Sequence, residues 1–249
     1  MWPPLDYYAY SGLVNFLTTS LIAVFVISRK PELKPAKLFC EFSGEVALWS
    51  FFYFIWLKTP ERAPAEFFLR TCMIPVIFMP SSFFRFVTAL TRKRVPRWVH
   101  SFNYVVSASL ALTVYSTLFA IGGAPPHLVF PYWPKPGILF PIHLIHFFII
   151  VGAAHIILLQ TFRNSSGLLR SQISIVFWGM LIAFSSGITN YLQWYRIPIP
   201  PAINPFVSTL VFAMGYAIVR HKLLDIEVII RRTVVFAGLV GSVVAVVSL

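Results

Sequence analysis

The sequence predicts an all-α fold: a polytopic bundle of membrane helices with seven spans, a truncated eighth and the N-terminus outside. Three observations point to it. Of the 249 residues, 58% are hydrophobic and only 11% charged, where a soluble domain carries about 25% charged residues, and the mean hydropathy is +0.78. Apolar runs near the ~20 residues that cross a bilayer recur between short connections rich in proline. The 20 Lys and Arg, set against 8 Asp and Glu, gather in alternate connections, as cytoplasmic loops do.

In order, the spans fall at about 7–28, 38–57, 66–90, 99–121, 138–160, 172–195, 206–219 and 234–249, each a window of spanning length or nearly so. The first follows Trp2, Tyr7, Tyr8 and Tyr10 and stops at a basic stretch holding Pro31 and Pro35. The second ends at Lys58, before Pro60 and Pro64. The third carries Pro75 and Pro80, which remove helix hydrogen bonds and imply a kink, and it stops at Arg92, Lys93, Arg94 and Arg97. A connection with five prolines, 122–137, separates the fourth from the fifth. Arg163 and Arg170 precede the sixth, and Arg220, Lys222, Arg231 and Arg232 follow the seventh. Trp98, Tyr132, Trp133, Trp194 and Tyr195 are expected at the headgroups.

One set of connections thus holds fourteen basic residues and the other four, namely Lys58, Arg62, Lys135 and Arg196. The positive-inside rule then places 220–233 in the cytoplasm. The expected organisation is a seven-helix bundle over 7–219, a juxtamembrane segment over 220–233 and the start of an eighth span over 234–249. Net charge of +12 is accounted for by topology, so the expected partner is the lipid bilayer and not nucleic acid. The expected location is the plasma (inner) membrane, multi-pass. A basic n-region is missing from the first residues, so no cleaved signal peptide is indicated.

Charge inside a span costs a few kcal/mol unless it is paired or hydrated. Glu41 and Glu45 lie one turn apart near the cytoplasmic end of the second span, and Arg85 lies at a similar depth in the third. An Arg85 pair with either carboxylate reads as a structural ion pair or as a sensing cluster that exchanges partners. Glu66 and Arg70, four apart, read as a helix-surface pair. His143 and His146, three apart, share a face near the outer boundary and read as polar packing, a pH-sensitive pair or two metal ligands. His155 lies about 14 Å further along and cannot complete their site. Without a carboxylate or thiolate companion, no metal site is assigned. Asn103, Asn190 and Gln193 read as interhelical hydrogen-bond partners. Cys40 and Cys72 sit at different depths and form no disulfide framework. The spans contain no lysine for a Schiff base, and the chain has no phosphate-binding loop, dinucleotide fingerprint or H-E-x-x-H.

The segment Ala217–Thr233 is a basic, amphipathic juxtamembrane stretch. Its wording, with Arg220, His221, Lys222, Leu223, Leu224, Asp225 and Ile226 in that order, resembles the junction that ends the seven-transmembrane N-terminal sensor region of bacterial histidine kinases. Seven preceding spans with short loops suit the same resemblance over about residues 7–233. It implies a signal relay through Arg220, Leu224, Asp225 and Ile226, with Asp225 fixing the exit of the seventh helix, and it carries over no ligand residues. It also implies a longer parent receptor that acts as a two-component sensor kinase. That parent would pair as a homodimer through its kinase, use ATP and Mg at a cytoplasmic output, and address a response regulator. These residues include no phosphoacceptor hairpin or ATP-binding domain, so this chain has no catalytic residues and needs no cofactor of its own. Leu249 ends an apolar stretch of 16 residues, so the chain is expected to be the N-terminal part of that parent. The expected function is therefore a membrane signal-input module. The alternative is a small-solute or proton-coupled transporter using Glu41, Glu45, Arg85, His143 and His146 as a polar path.

Overall fold

Apolar runs bounded by proline become helices: α1 (Leu5–Arg29), α2 (Lys34–Lys58), α3 (Arg62–Leu90), α4 (Arg97–Ala111), α5 (Phe140–Arg163) and α6 (Gly167–Trp194). The structure is a computed structural model that describes residues 2–29, 33–210, 213, 214 and 217, with backbone only at residue 29. Pro35 and Pro141 lie in the first turns of α2 and α5, where a missing N–H is not needed by the helix. Five helices, α1 to α3 with α5 and α6, are long and apolar enough to cross a membrane. Their outer faces keep Leu17, Leu21, Val24, Ile145 and Ile149 exposed, as lipid-facing side chains must be. The chain is a membrane protein.

Seven spans are not all seen. The expected fourth span, 99–121, is helical only to Ala111, and 15 residues rise about 22 Å, short of a ~30 Å hydrocarbon core. Residues 112–119 continue as turns and lead into β1 (Ala120–Ile121), which pairs antiparallel with β2 (Lys135–Pro136). The cause is visible on α3. The guanidinium of Arg70 donates to the carbonyls of Val114 (2.9 Å), Ser116 (3.1 Å) and Ala120 (2.7 Å) and so pins these turns against α3. Irregular backbone survives at membrane depth only when protein satisfies it in this way. Of the expected seventh span, the described part is a 3₁₀ helix, Asn204–Ser208, followed by helical backbone at Thr209, Leu210, Ala213, Met214 and Ala217. The juxtamembrane segment 220–233 and the eighth span 234–249 lie outside the described residues.

The helices form a ring. α1 packs on α2, α2 on α3, α3 on α5, α5 on α6, α6 on the 3₁₀ helix, and the 3₁₀ helix on α1; α4 lies outside the ring against α3. Two glycines allow close approaches in it. A Cβ at Gly12 would stand 2.9 Å from the Ser50 carbonyl oxygen, so α1 lies against the α2 backbone there. A Cβ at Gly179 would collide with that of Ala213, so α6 meets the last described helix with only the Ala213 methyl between them. α3 continues through Pro75 and Pro80, and the Ser107 hydroxyl on α4 donates to the Ile77 carbonyl at 3.0 Å in the turn between them.

Several expected headgroup anchors belong to the core instead. Trp2, Trp98 and Tyr195 are exposed, but Tyr8, Trp133 and Trp194 are buried. They stack inward because the connections around 122–137 and 195–203 fold over the ring's mouth at the end that carries the N-terminus. Tyr8 meets Phe130 at 5.0 Å, Phe130 meets Trp133 at 4.8 Å, and Trp194 stacks on Phe140 at 4.1 Å. Arg196, in the left-handed conformation at φ 58°, holds this cover by donating to the carbonyls of Pro125 (2.9 Å) and Trp133 (3.0 Å). Partial burial lowers its pKa from the ordinary arginine value.

Candidate functional site

The charged residues singled out on α2 and α3 do meet. Arg85 lies 3.4 Å from Glu41, and Tyr104 of α4 donates to the other oxygen of the same carboxylate while its ring faces the Arg85 guanidinium at 5.8 Å. Glu45 does not share the arginine. It accepts from Ser82 and, among the described residues, has no basic group within ion-pair distance. The cluster joins three helices at the basic end of the bundle. A cleft of about 830 Å³ opens beside it, lined in part by Lys34, Arg92, Lys93, Arg94 and Arg97.

The histidine pair separates. His143 is fully buried and lies 3.0 Å from the Tyr191 hydroxyl on α6, whereas His146 lies 3.2 Å from Oδ1 of Asn103 on α4. A 100° step per residue turns positions three apart by 300°, enough to point the rings at different neighbours. Among the described residues no group of three or more His, Cys, Asp or Glu gathers as metal ligands would. Cys40 and Cys72 are free, each against a helix carbonyl, of Ala23 and Trp49. Glu66 and Arg70 do not pair with each other. Arg62 is the arginine nearest Glu66, at 3.8 Å, and Glu66 accepts the Gly123 amide at 2.9 Å.

Of the three amides, Asn103 and Asn190 bond between elements as expected, while Gln193 caps the following loop at the Ile199 carbonyl. Asn190 belongs to a buried polar clamp that the sequence reading did not assemble. Its Nδ2 donates to Oδ1 of Asn204 (3.0 Å), whose Nδ2 donates to Ser11 (2.7 Å). Asn15 donates to the Asn204 carbonyl (3.1 Å) and accepts from Ser208 (2.6 Å). The clamp ties the 3₁₀ helix at the head of the last described helix to α1 and α6. Its sequence signal was the set of small polar residues at helical spacing, Ser11, Asn15 and Thr18, on one face of the first span.

Inside the ring, against this clamp, lies an apolar cavity of about 80 Å³. Its wall takes Phe42, Trp49 and Tyr53 from α2, Met73 and Val76 from α3, Phe147 from α5, Met180 and Tyr191 from α6, and Val207 and Leu210 from the 3₁₀ helix and the helical turn that follows it. Neither this cavity nor Tyr104 and Ser82 carries a charge that a sequence scan for intramembrane ions would flag. The relay residues Arg220, Leu224, Asp225 and Ile226 lie outside the described residues.

Neither a curated protein nor a solved structure matches the chain. A family model described as the N-terminal 7TM region of histidine kinase matches residues 12–227, which takes in all six helices in whole or part, the polar clamp apart from Ser11, the cavity and the Arg220–Ile226 motif. The chain therefore belongs to the family of N-terminal seven-transmembrane regions of histidine kinases.

Proposed function

We propose that the chain is the signal-input module of a sensor histidine kinase in the plasma membrane, with the N-terminus outside and residues 220–233 in the cytoplasm. Occupancy of the ring cavity, or a change in the surrounding bilayer, shifts the last helix against α1 and α6. Arg220, Leu224, Asp225 and Ile226 pass that shift to a cytoplasmic kinase output. The parent works as a homodimer, uses ATP and Mg at that output and phosphorylates a response regulator. One observation carries this reading. The cavity wall includes Val207 and Leu210, so a bound molecule touches the element that precedes the Arg220–Ile226 motif in the chain, and a molecule that contacts two positions of that element unequally must shift their populations.

The Glu41–Arg85–Tyr104 cluster, at the opposite end of the bundle, sets the resting position of α2, α3 and α4. The transporter alternative has less support. Its acids lie at the basic end and its histidines toward the other, and the ring interior between them is lined by Val46, Met79, Phe147 and Phe184, which offer a proton no relay.

The test is to express the full-length gene product in nanodiscs with ATP and Mg. Incorporation of phosphate into a histidine, and its transfer to a response regulator, is the expected result. A reading frame without a catalytic domain, together with solute or proton flux in proteoliposomes, would establish the transporter instead.

A further inference from the structure

The ring cavity has a polar end. Among the buried side-chain atoms without a hydrogen-bond partner are the Tyr53 hydroxyl, Nε1 of Trp133 and Oδ1 of Asn190. All three residues line the cavity, and they are 2%, 2% and 8% exposed. An unsatisfied buried group costs about 1–3 kcal/mol, and a hydrogen-bonding occupant of the cavity would lower that cost for the three residues that line it. All three sit toward the N-terminal end of the bundle: Tyr53 is five residues from the last residue of α2, Asn190 four from that of α6, and Trp133 belongs to the covering connection.

Their chemistry specifies what the occupant must present. The indole N–H only donates and the amide oxygen only accepts, while the phenol does either. The Asn190 amide orientation is fixed, because its Nδ2 faces two oxygens, those of Gly187 (3.1 Å) and Asn204 (3.0 Å). One hydroxyl has both the acceptor that an indole N–H or phenol needs and the donor that an amide oxygen needs, and so matches both kinds of orphan. The remaining wall is apolar and aromatic, including Trp49, Met73, Val76, Phe147, Met180 and Leu210. One water needs about 10–15 Å³ and two to four polar partners. About 80 Å³ would therefore hold several waters, most of them without partners against that wall.

We infer that the ring cavity is a binding site for a small, uncharged, mostly apolar molecule carrying one hydroxyl, with the hydroxyl among Tyr53, Trp133 and Asn190 and the apolar body against Met73, Phe147 and Met180. This rests on the input-module reading and gives its stimulus a chemical class. Asn190 also links the site to the clamp, since the same side chain holds Asn204 at the head of the last helix. Cyclohexanol is a suitable probe and methylcyclohexane its counterpart without the hydroxyl. Trp49, Trp56, Trp133 and Trp194 all line the cavity and report binding by fluorescence.

In nanodiscs, cyclohexanol should give a saturable change at least about tenfold tighter than methylcyclohexane, because a site with unpaired polar groups rejects the analogue that cannot bond to them. Tyr53→Phe, which removes only a hydroxyl, should shrink that preference severalfold. Ala183→Phe, which fills the cavity, should abolish saturable binding of both. Equal affinities for the two probes, or a preference that persists in both variants, would overturn the assignment. So would a non-saturable response to cyclohexanol, which would mean water and partitioning into lipid only. The readout is binding, not phosphorylation. A failed titration with a working kinase overturns this inference alone, whereas a protein that binds the probe but lacks kinase activity overturns the input-module reading.

Discussion

Arg70 does more than its position at the start of a span suggests. By donating to three carbonyls of 114–120 it adds to the turn hydrogen bonds of that segment, such as those from the Phe119 and Ala120 amides to Ser116, and it does so where water is scarce. Arg70→Met keeps the aliphatic stem and removes the donors. It should destabilise the protein by about 2–4 kcal/mol, several charge-assisted bonds being lost together, and should raise amide exchange in 113–121 before that in α5. The Glu41–Arg85 pair should behave differently. Its side chains are 34% and 42% exposed, so solvent and headgroups screen it, and Arg85→Ala should cost only about 0.5–1 kcal/mol in unfolding measurements. Tyr104→Phe tests the same cluster with one hydroxyl removed. In the full-length receptor it should change basal phosphorylation with little change in stability, because the carboxylate keeps its arginine. Residue by residue, the sequence exposed the ions of this cluster. It could not expose Tyr104 or Ser82, because a phenol or hydroxyl in a span is ordinary until a carboxylate is found beside it.

At the scale of elements, five helices were legible because a run of ~20 apolar residues admits few alternatives in a bilayer. The fourth span's helix stops at Ala111, short of its expected end at 121, for a physical reason. Residues 112–121 are apolar enough to continue a helix, and what pins their turns is a guanidinium some 44 to 50 positions earlier in the chain, which no local pattern reveals. The closeness of α6 to the last helix was legible in principle. Gly179, Ala183 and Gly187 recur every fourth residue, and small residues at that spacing let membrane helices touch. Gly179 meets Ala213, and a Cβ at Gly187 would stand 4.0 Å from Val207. Gly179→Leu should therefore push the last helix outward and cost about 1–3 kcal/mol as overpacking. Cysteine pairs introduced at 187 and 207 should cross-link more slowly in that variant. An unchanged rate would mean that the contact does not set the helix position.

For the whole molecule, what matters is that the ring closes through the 3₁₀ helix Asn204–Ser208, which packs on both α1 and α6, so the cavity and the polar clamp share one element. The Arg220–Ile226 motif gave the family, and the family match over 12–227 agrees with it, but neither identifies where a signal enters. The cavity proposed as that entry appears only when helices far apart in sequence place Tyr53, Trp133, Asn190, Val207 and Leu210 around one space. The claim that this cavity controls the output is tested most directly by filling it without a ligand. The basal autophosphorylation rate of the full-length receptor in nanodiscs should be measured for the wild type and for Ala183→Phe, with folding checked by thermal unfolding. Coupling of at least about 1 kcal/mol predicts a change of about fivefold or more. An unchanged rate in a folded variant would contradict the account.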